Sequence, residues 1–170
     1  MKLLIKNSKL TVLMMIATLV VGCSTAAKKD AGSTSDSMVD DATDAVALEL
    51  NGSSDDNTAG GLKTIYFDFN SSQLSGAAKT TLEQNALWLK GTQNVSIQIE
   101  GHCDERGGVQ YNLALGERRA KSVKDFLIAY GVAGVRVSTI SYGKENPTAY
   151  GHDDESWSKN RRANFKVTAK

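Results

Sequence analysis

Two cysteines, two histidines and a single proline stand in a chain of 170 residues. So little cysteine excludes a disulfide scaffold as the source of stability, and no Cys-x-x-Cys pair exists to hold a structural zinc. One proline among 15 glycines excludes the collagen-like and proline-rich classes. Charge of one sign is lacking too: Lys plus Arg number 20 against 19 Asp plus Glu, so no basic excess points to nucleic acid. The longest apolar stretch, residues 10–21, falls short of the roughly 20 residues a membrane-spanning helix needs. What remains is 41% hydrophobic and 23% charged, a globular composition in a length that suits one domain with appendages.

The appendage is at the front. Lys2, Lys6 and Lys9 precede the apolar stretch, and polar residues follow Gly22, so residues 1–22 read as an export signal that is removed. Val20-Val21-Gly22-Cys23 resembles the bacterial lipobox, which implies that Cys23 becomes a lipidated amino terminus. More than one acyl chain, at about 0.8 kcal/mol per buried methylene, gives a stable anchor without a span. Ser24 stands where the inner-membrane retention signal has aspartate, so the resemblance implies the periplasmic face of the outer membrane. With Cys23 carrying lipid, Cys103 has no partner and reads as a small packing residue.

Residues 24–61 contain no aromatic residue and no isoleucine, and they set two lysines against eight carboxylates. That composition predicts a disordered, self-repelling acidic linker over residues 23–61, with an extended reach of about 130 Å. Residues 62–170 carry 15 of the 20 basic residues and 11 of the acids, and they form the folded unit. Ile65, Phe67 and Phe69 alternate with Tyr66 and Asp68, which predicts a strand over 63–69. Ser75 caps a helix to about residue 90, with Ala78, Leu82, Ala86 and Leu89 inward and Gly91 as its stop. Val95, Ile97 and Ile99 predict a second strand. A glycine-bounded loop then leads to a long helix over 109–130, with Leu113, Ala120, Val123, Leu127 and Tyr130 as its buried stripe. Strands over 135–142 and 164–168, with a short helix near 155–159 between them, complete the order β-α-β-α-β-(α)-β. The expected class is α+β, two main helices on one face of a small mixed four-stranded sheet.

Chemistry-bearing residues cluster where the second strand ends: Gly101-His102-Cys103-Asp104-Glu105-Arg106-Gly107-Gly108, then Tyr111-Asn112, then Leu115 to Ala120. A metal site from His102, Cys103, Asp104, Glu105 and His152 is disfavoured, because adjacent strand residues point to opposite faces. The same geometry disfavours a Cys103–His102 nucleophilic pair. No Gly-Lys-Ser/Thr follows the glycines, which disfavours a phosphate loop. Recognition of a charged small ligand remains. Asn112, Leu115 and Arg119 share one helix face, and Asp104 stands on the loop before it, an acid and a base suited to a zwitterion. The alternative is a direct Asp104–Arg119 salt bridge that pins loop to helix. Spacing alone leaves the two equal. They differ in consequence, since a ligand role predicts that removing either charge abolishes binding and moves the Tm little.

The runs GHCDERGG, YNLALGERRAKSV, ISYGKENP and SKNRRANF, in that order, resemble the OmpA-like peptidoglycan-binding domains over essentially all of residues 62–170. Within them the lipobox and acidic linker resemble the lipid-anchored Pal family. The resemblance implies noncovalent binding to the diaminopimelate of peptidoglycan stem peptides, with Asp104 and Arg119 holding its ammonium and carboxylate. It also implies Phe67 and Asp68 as contacts on the rim, Asn112 and Leu115 as secondary ones, and Arg161 and Arg162 as structural or rim residues. No cofactor and no metal are implied. The implied partners are peptidoglycan, the outer membrane through Cys23, and a TolB-like periplasmic protein in a Tol-Pal-type system for envelope integrity and cell division. A cell-wall-modifying enzyme such as an amidase is the rival from another class. It needs a metal triad or a nucleophile paired with a base, and the sequence supplies neither.

Overall fold

The computed structural model describes residues 48–170. The export signal, Cys23 and residues 24–47 of the expected linker lie outside the described residues. The elements are β1 (Ile65–Tyr66), α1 (Gly76–Gly91), β2 (Ser96–His102), α2 (Val109–Ala129), a 3-10 turn (Gly134–Arg136), β3 (Val137–Gly143), α3 (Asp154–Asn160) and β4 (Arg162–Ala169). The sheet order is β1-β4-β2-β3, with β2 and β3 parallel and β4 antiparallel to both β1 and β2. This is the α+β fold with a mixed four-stranded sheet that the sequence pattern predicts.

Period-two alternation decides the layers. Ile97 and Ile99 of β2 with Ala163, Phe165 and Val167 of β4 turn to the helices. There they join Leu82, Ala86 and Leu89 of α1 and Ala120, Val123 and Leu127 of α2 in one buried core. Each large member contributes about 1.5–3 kcal/mol by leaving water. The Ser75 hydroxyl accepts from the Ala78 amide and opens α1. Arg136 donates to the carbonyls of Leu89, Thr92 and Val95, so it closes the C-terminal end of α1 and holds the start of β2.

Three expectations are corrected. Residues 48–61 are not a linker. Asn51 and Ser54 donate their amides to Val167 and Phe165, Gly52 accepts from Val167, and Asp55 meets Arg162 at 2.7 Å. The segment covers the stretch of β4 that the two-residue β1 leaves unpaired, while Ala59 is fully buried and Asn164 accepts from Ser53 and Ser54. Composition within the segment could not show this, because the ordering comes from an open strand edge more than a hundred residues away. Second, the ladder of β1 is Ile65–Tyr66 only, since Asn70 turns the chain with φ of 54° and carries Phe69 out to solvent. Third, Val135 is exposed in the 3-10 turn, and Tyr130 is exposed and stacks on Phe126 at 4.7 Å.

Helix α2 presses on β2 at one point that fixes where the functional side chains stand. A Cβ built on Gly101 would lie 1.9 Å from the Gly116 carbonyl oxygen, a backbone atom that cannot swing away. Gly101→Ala should therefore push α2 off the sheet and lower stability by about 1–3 kcal/mol, the usual range for overpacking. A thermal melt followed by circular dichroism measures it. An unchanged Tm would mean that the helix and strand part without cost.

Candidate functional site

The site grows from the end of β2. The β2–β3 register shifts between Gly101 and His102, and the Cys103 amide then donates to Gly143 at 2.7 Å. His102 stacks on Tyr142 and its Nε2 faces the Glu100 carboxylate at 3.8 Å, so it makes no pair with Cys103. Residues 103–108 form a loop held from three sides. Asp104 accepts from the Arg106 amide, an Asx turn; Asn112 donates to the carbonyls of Arg106 and Gly108; and Lys144 donates to those of Glu105 and Gly107. Gly107, with φ of 87°, makes the turn that a side chain would strain.

Asn112, Leu115 and Arg119 of α2 are all buried on the face turned to this loop. Together with Cys103 and Asp104 they line a cleft of about 170 Å³, whose mouth is formed by Phe69, Tyr111, Arg106 and Arg161. Leu115 and Cys103 make its apolar walls. Four of the six predicted ligand contacts are thus brought together. The other two are not. Phe67 is buried with its ring 5.1 Å from the Arg119 guanidinium, and the exposed Asp68 lies in a neighbouring depression. The aromatic that this segment brings to the cleft is Phe69, because the chain leaves β1 three residues earlier than alternation suggests.

Asp104 and Arg119 do not form the salt bridge considered above. Arg119 is buried where it lines the cleft, and it donates to the carbonyls of Ser71, His102 and Asp68 and to the Cys103 sulfur. A guanidinium has five N–H groups. Those four bonds leave one N–H, on Nη2, and a positive charge that no carboxylate among the described residues meets in a salt bridge. Asp104 pairs with Arg106 at 2.7 Å and Arg161 at 3.3 Å. Burial works to raise its pKa, but the bonds and charge of Arg106, with the bond from Arg161, outweigh this and hold it below the usual carboxylate value. Burial pushes the Cys103 thiol up despite the nearby Arg119, so it is a neutral packing group. Three guanidiniums against one carboxylate leave the cleft cationic.

The OmpA family matches residues 66–161. The chain belongs to it. Within the family it is similar to the peptidoglycan-associated lipoprotein of Pseudomonas aeruginosa, 39% identical over 166 residues that cover 96% of this chain and 98% of that protein. That of Mesorhizobium japonicum is 50% identical over 112 residues, 66% of this chain and 67% of the relative. These matches make the chain a member of the peptidoglycan-associated lipoproteins, the Pal branch of the OmpA family. The fold agrees. The crystal structure of the Pal from Burkholderia pseudomallei superposes with a TM-score of 0.59 at 42% identity, over 61% of this chain and 88% of the other. The C-terminal domain of Helicobacter pylori MotB gives 0.60 at 25% identity, over 64% and 85%.

In this Pal-family cleft, sequence reasoning gave two arginines a part and left a third without one. Arg161, read as structural or rim, is both: it donates to the Phe67 carbonyl and to Asp104. Arg162, its neighbour, turns to the opposite face and is buried against Asp55. Arg106 had no assigned role, yet it closes one side of the cleft, its guanidinium 4.0 Å from the ring centres of both Phe69 and Trp157. Trp157 is itself held by Glu105, which accepts from its indole N–H and from His152 at 2.8 Å each. The signal for Arg106 was its place two residues after Asp104, the spacing of an Asx turn.

Proposed function

We propose that this protein is a lipid-anchored, non-enzymatic tether that binds peptidoglycan noncovalently through the diaminopimelate of its stem peptides. One observation carries the reading: the buried Arg119 charge has no carboxylate partner, and it faces the same narrow cleft as Asp104. A buried charge whose partners are three carbonyls and a thiol is left poised for an anion. Diaminopimelate ends in an ammonium and a carboxylate on one carbon. Its carboxylate meets the free Nη2 N–H of Arg119, and its ammonium meets Asp104. The grip of Arg119 is one hydrogen bond plus charge rather than a two-bond fork, since its other donors are committed. Leu115 and Cys103 take the methylene chain, and Asn112 holds the loop that presents Asp104. Phe67 acts beneath Arg119, and Asp68 acts through its backbone carbonyl.

The names of the relatives support peptidoglycan as the ligand. Lipidation at Cys23 and a linker over residues 24–47 place the domain between the outer membrane and the wall. Many identical stem peptides then face a tethered domain, so residence depends on effective concentration as much as on a single affinity. A TolB-like periplasmic protein is the proposed protein partner, within a Tol-Pal-type system for envelope integrity and cell division. Sedimentation with purified peptidoglycan sacculi tests the reading. The protein should pellet with sacculi and be released by excess free diaminopimelate, and pelleting that diaminopimelate leaves untouched would contradict it.

A further inference from the structure

The carboxylate meant for the ligand is already full. Asp104 Oδ1 accepts from the backbone N and the Nε of Arg106, at 3.1 and 3.3 Å, and Oδ2 accepts from Arg106 Nη2 at 2.7 Å and Arg161 Nη1 at 3.3 Å. An ionised carboxylate offers about four lone-pair sites, and four donors fill them. An arriving ammonium must displace one. The backbone amide is fixed by the Asx turn, and Arg161 is held in addition by its Nε bond to the Phe67 carbonyl, with its side chain 14% exposed. The Arg106 side chain is 32% exposed and makes no other hydrogen bond. It is the donor that can leave.

We propose that Arg106 is an internal stand-in for the ligand's ammonium, a latch that must swing off Asp104 before the cleft can take a zwitterion. The proposal rests on the reading of the cleft as a diaminopimelate site and adds a specificity-determining residue to it. The chemistry is an exchange of one cation for another on the same carboxylate. Asp104 therefore never stands as an unpaired buried charge, with or without ligand. The rings of Phe69 and Trp157 on either side of the guanidinium, and the Glu105 bond to the Trp157 indole, hold the latch closed. A ligand that brings a cation but no carboxylate exchanges one partner of Asp104 for another and gains little. One that also offers a carboxylate to Arg119 gains a contact that the latch cannot supply. The latch thus sharpens selection for ligands bearing both charges, because the cation alone does not repay opening.

Only the latch-open fraction binds, so the apparent Kd is the intrinsic one divided by that fraction. The test is calorimetry and stopped-flow binding of the tripeptide Ala-Glu-diaminopimelate to the full-length chain, wild type against Arg106→Gln. This substitution keeps the backbone bonds and removes both side-chain donors to Asp104, so binding should tighten by about three- to tenfold, mainly through kon, if most of the wild type is latched. Trp157→Leu should act in the same direction with a smaller gain. Thermal melts of both variants confirm that the fold stands. A wild type that binds and an Arg106→Gln that binds equally or more weakly overturns the latch alone. No binding by either overturns the reading of the cleft and the latch with it, whereas binding by the variant only would support the latch strongly.

Discussion

Arg119→Ala should lower the stability of the domain by about 3–5 kcal/mol, a loss on the scale of removing a buried, multiply bonded side chain. The side chain is wholly buried, and its removal strands the carbonyls of Ser71, His102 and Asp68 at the junction of the β1–α1 connection with the end of β2. Each stranded acceptor costs about 1–3 kcal/mol, reduced where water enters from the cleft. The Phe67 ring also loses the guanidinium above it. With roughly 4 °C of Tm per kcal/mol at this size, the midpoint should fall by about 12–20 °C in a calorimetric scan. The sequence-based expectation that Tm would hardly move is therefore revised for Arg119. Arg119→Lys, which keeps a charge and up to three donors, should recover part of the stability and little of the binding. A Tm within about 3 °C of wild type for Arg119→Ala, under 1 kcal/mol on the same scale, would show that the four bonds contribute nothing.

Asp104→Asn separates binding from folding more cleanly. The amide oxygen can still accept from the Arg106 amide and preserve the turn, while Arg106 and Arg161 reach solvent and rehydrate. The loss of the only carboxylate among the described residues that line the cleft removes the proposed acceptor for the ligand's ammonium. Hydrogen bonds to charged groups contribute about 1.5–3 kcal/mol, so affinity for the diaminopimelate tripeptide should drop at least about tenfold to a hundredfold. The Tm should stay within a few degrees. Intact binding with a collapsed Tm would make Asp104 a structural residue.

Why these two differ was only half legible in sequence. Helix and strand periodicity gave Leu82, Ala86, Ile97, Ile99 and Phe165 their inward places, and the i, i+3, i+7 spacing set Asn112, Leu115 and Arg119 on one face. Spacing cannot say what a buried guanidinium bonds to. The carbonyls of Ser71 and Asp68 come from the β1–α1 connection, 48 and 51 residues before Arg119, and no local pattern marks them as its partners. The shift from Phe67 to Phe69 at the cleft has a similar cause: alternation extends past Tyr66 in the sequence, while the left-handed turn at Asn70 ends it in the fold. Residues 48–61 look like a linker because their order comes from elsewhere, the edge of β4 and the carboxamide of Asn164. Arg106 is visible as a letter in the run after Gly101, but its hold on Asp104 is a matter of geometry.

On the proposed reading, one cleft reads both ends of a zwitterion, Asp104 taking the ammonium and Arg119 the carboxylate. Titration calorimetry of the wild-type chain with two tripeptides, alike except that one ends in diaminopimelate and the other in lysine, tests it most directly. Lysine carries the ammonium but lacks the second carboxylate. Loss of one charge-assisted contact corresponds to about 1.5–3 kcal/mol, so the diaminopimelate peptide should bind at least about tenfold more tightly. Equal affinity for the two peptides would contradict the claim, because Arg119 would then be buried for the fold alone.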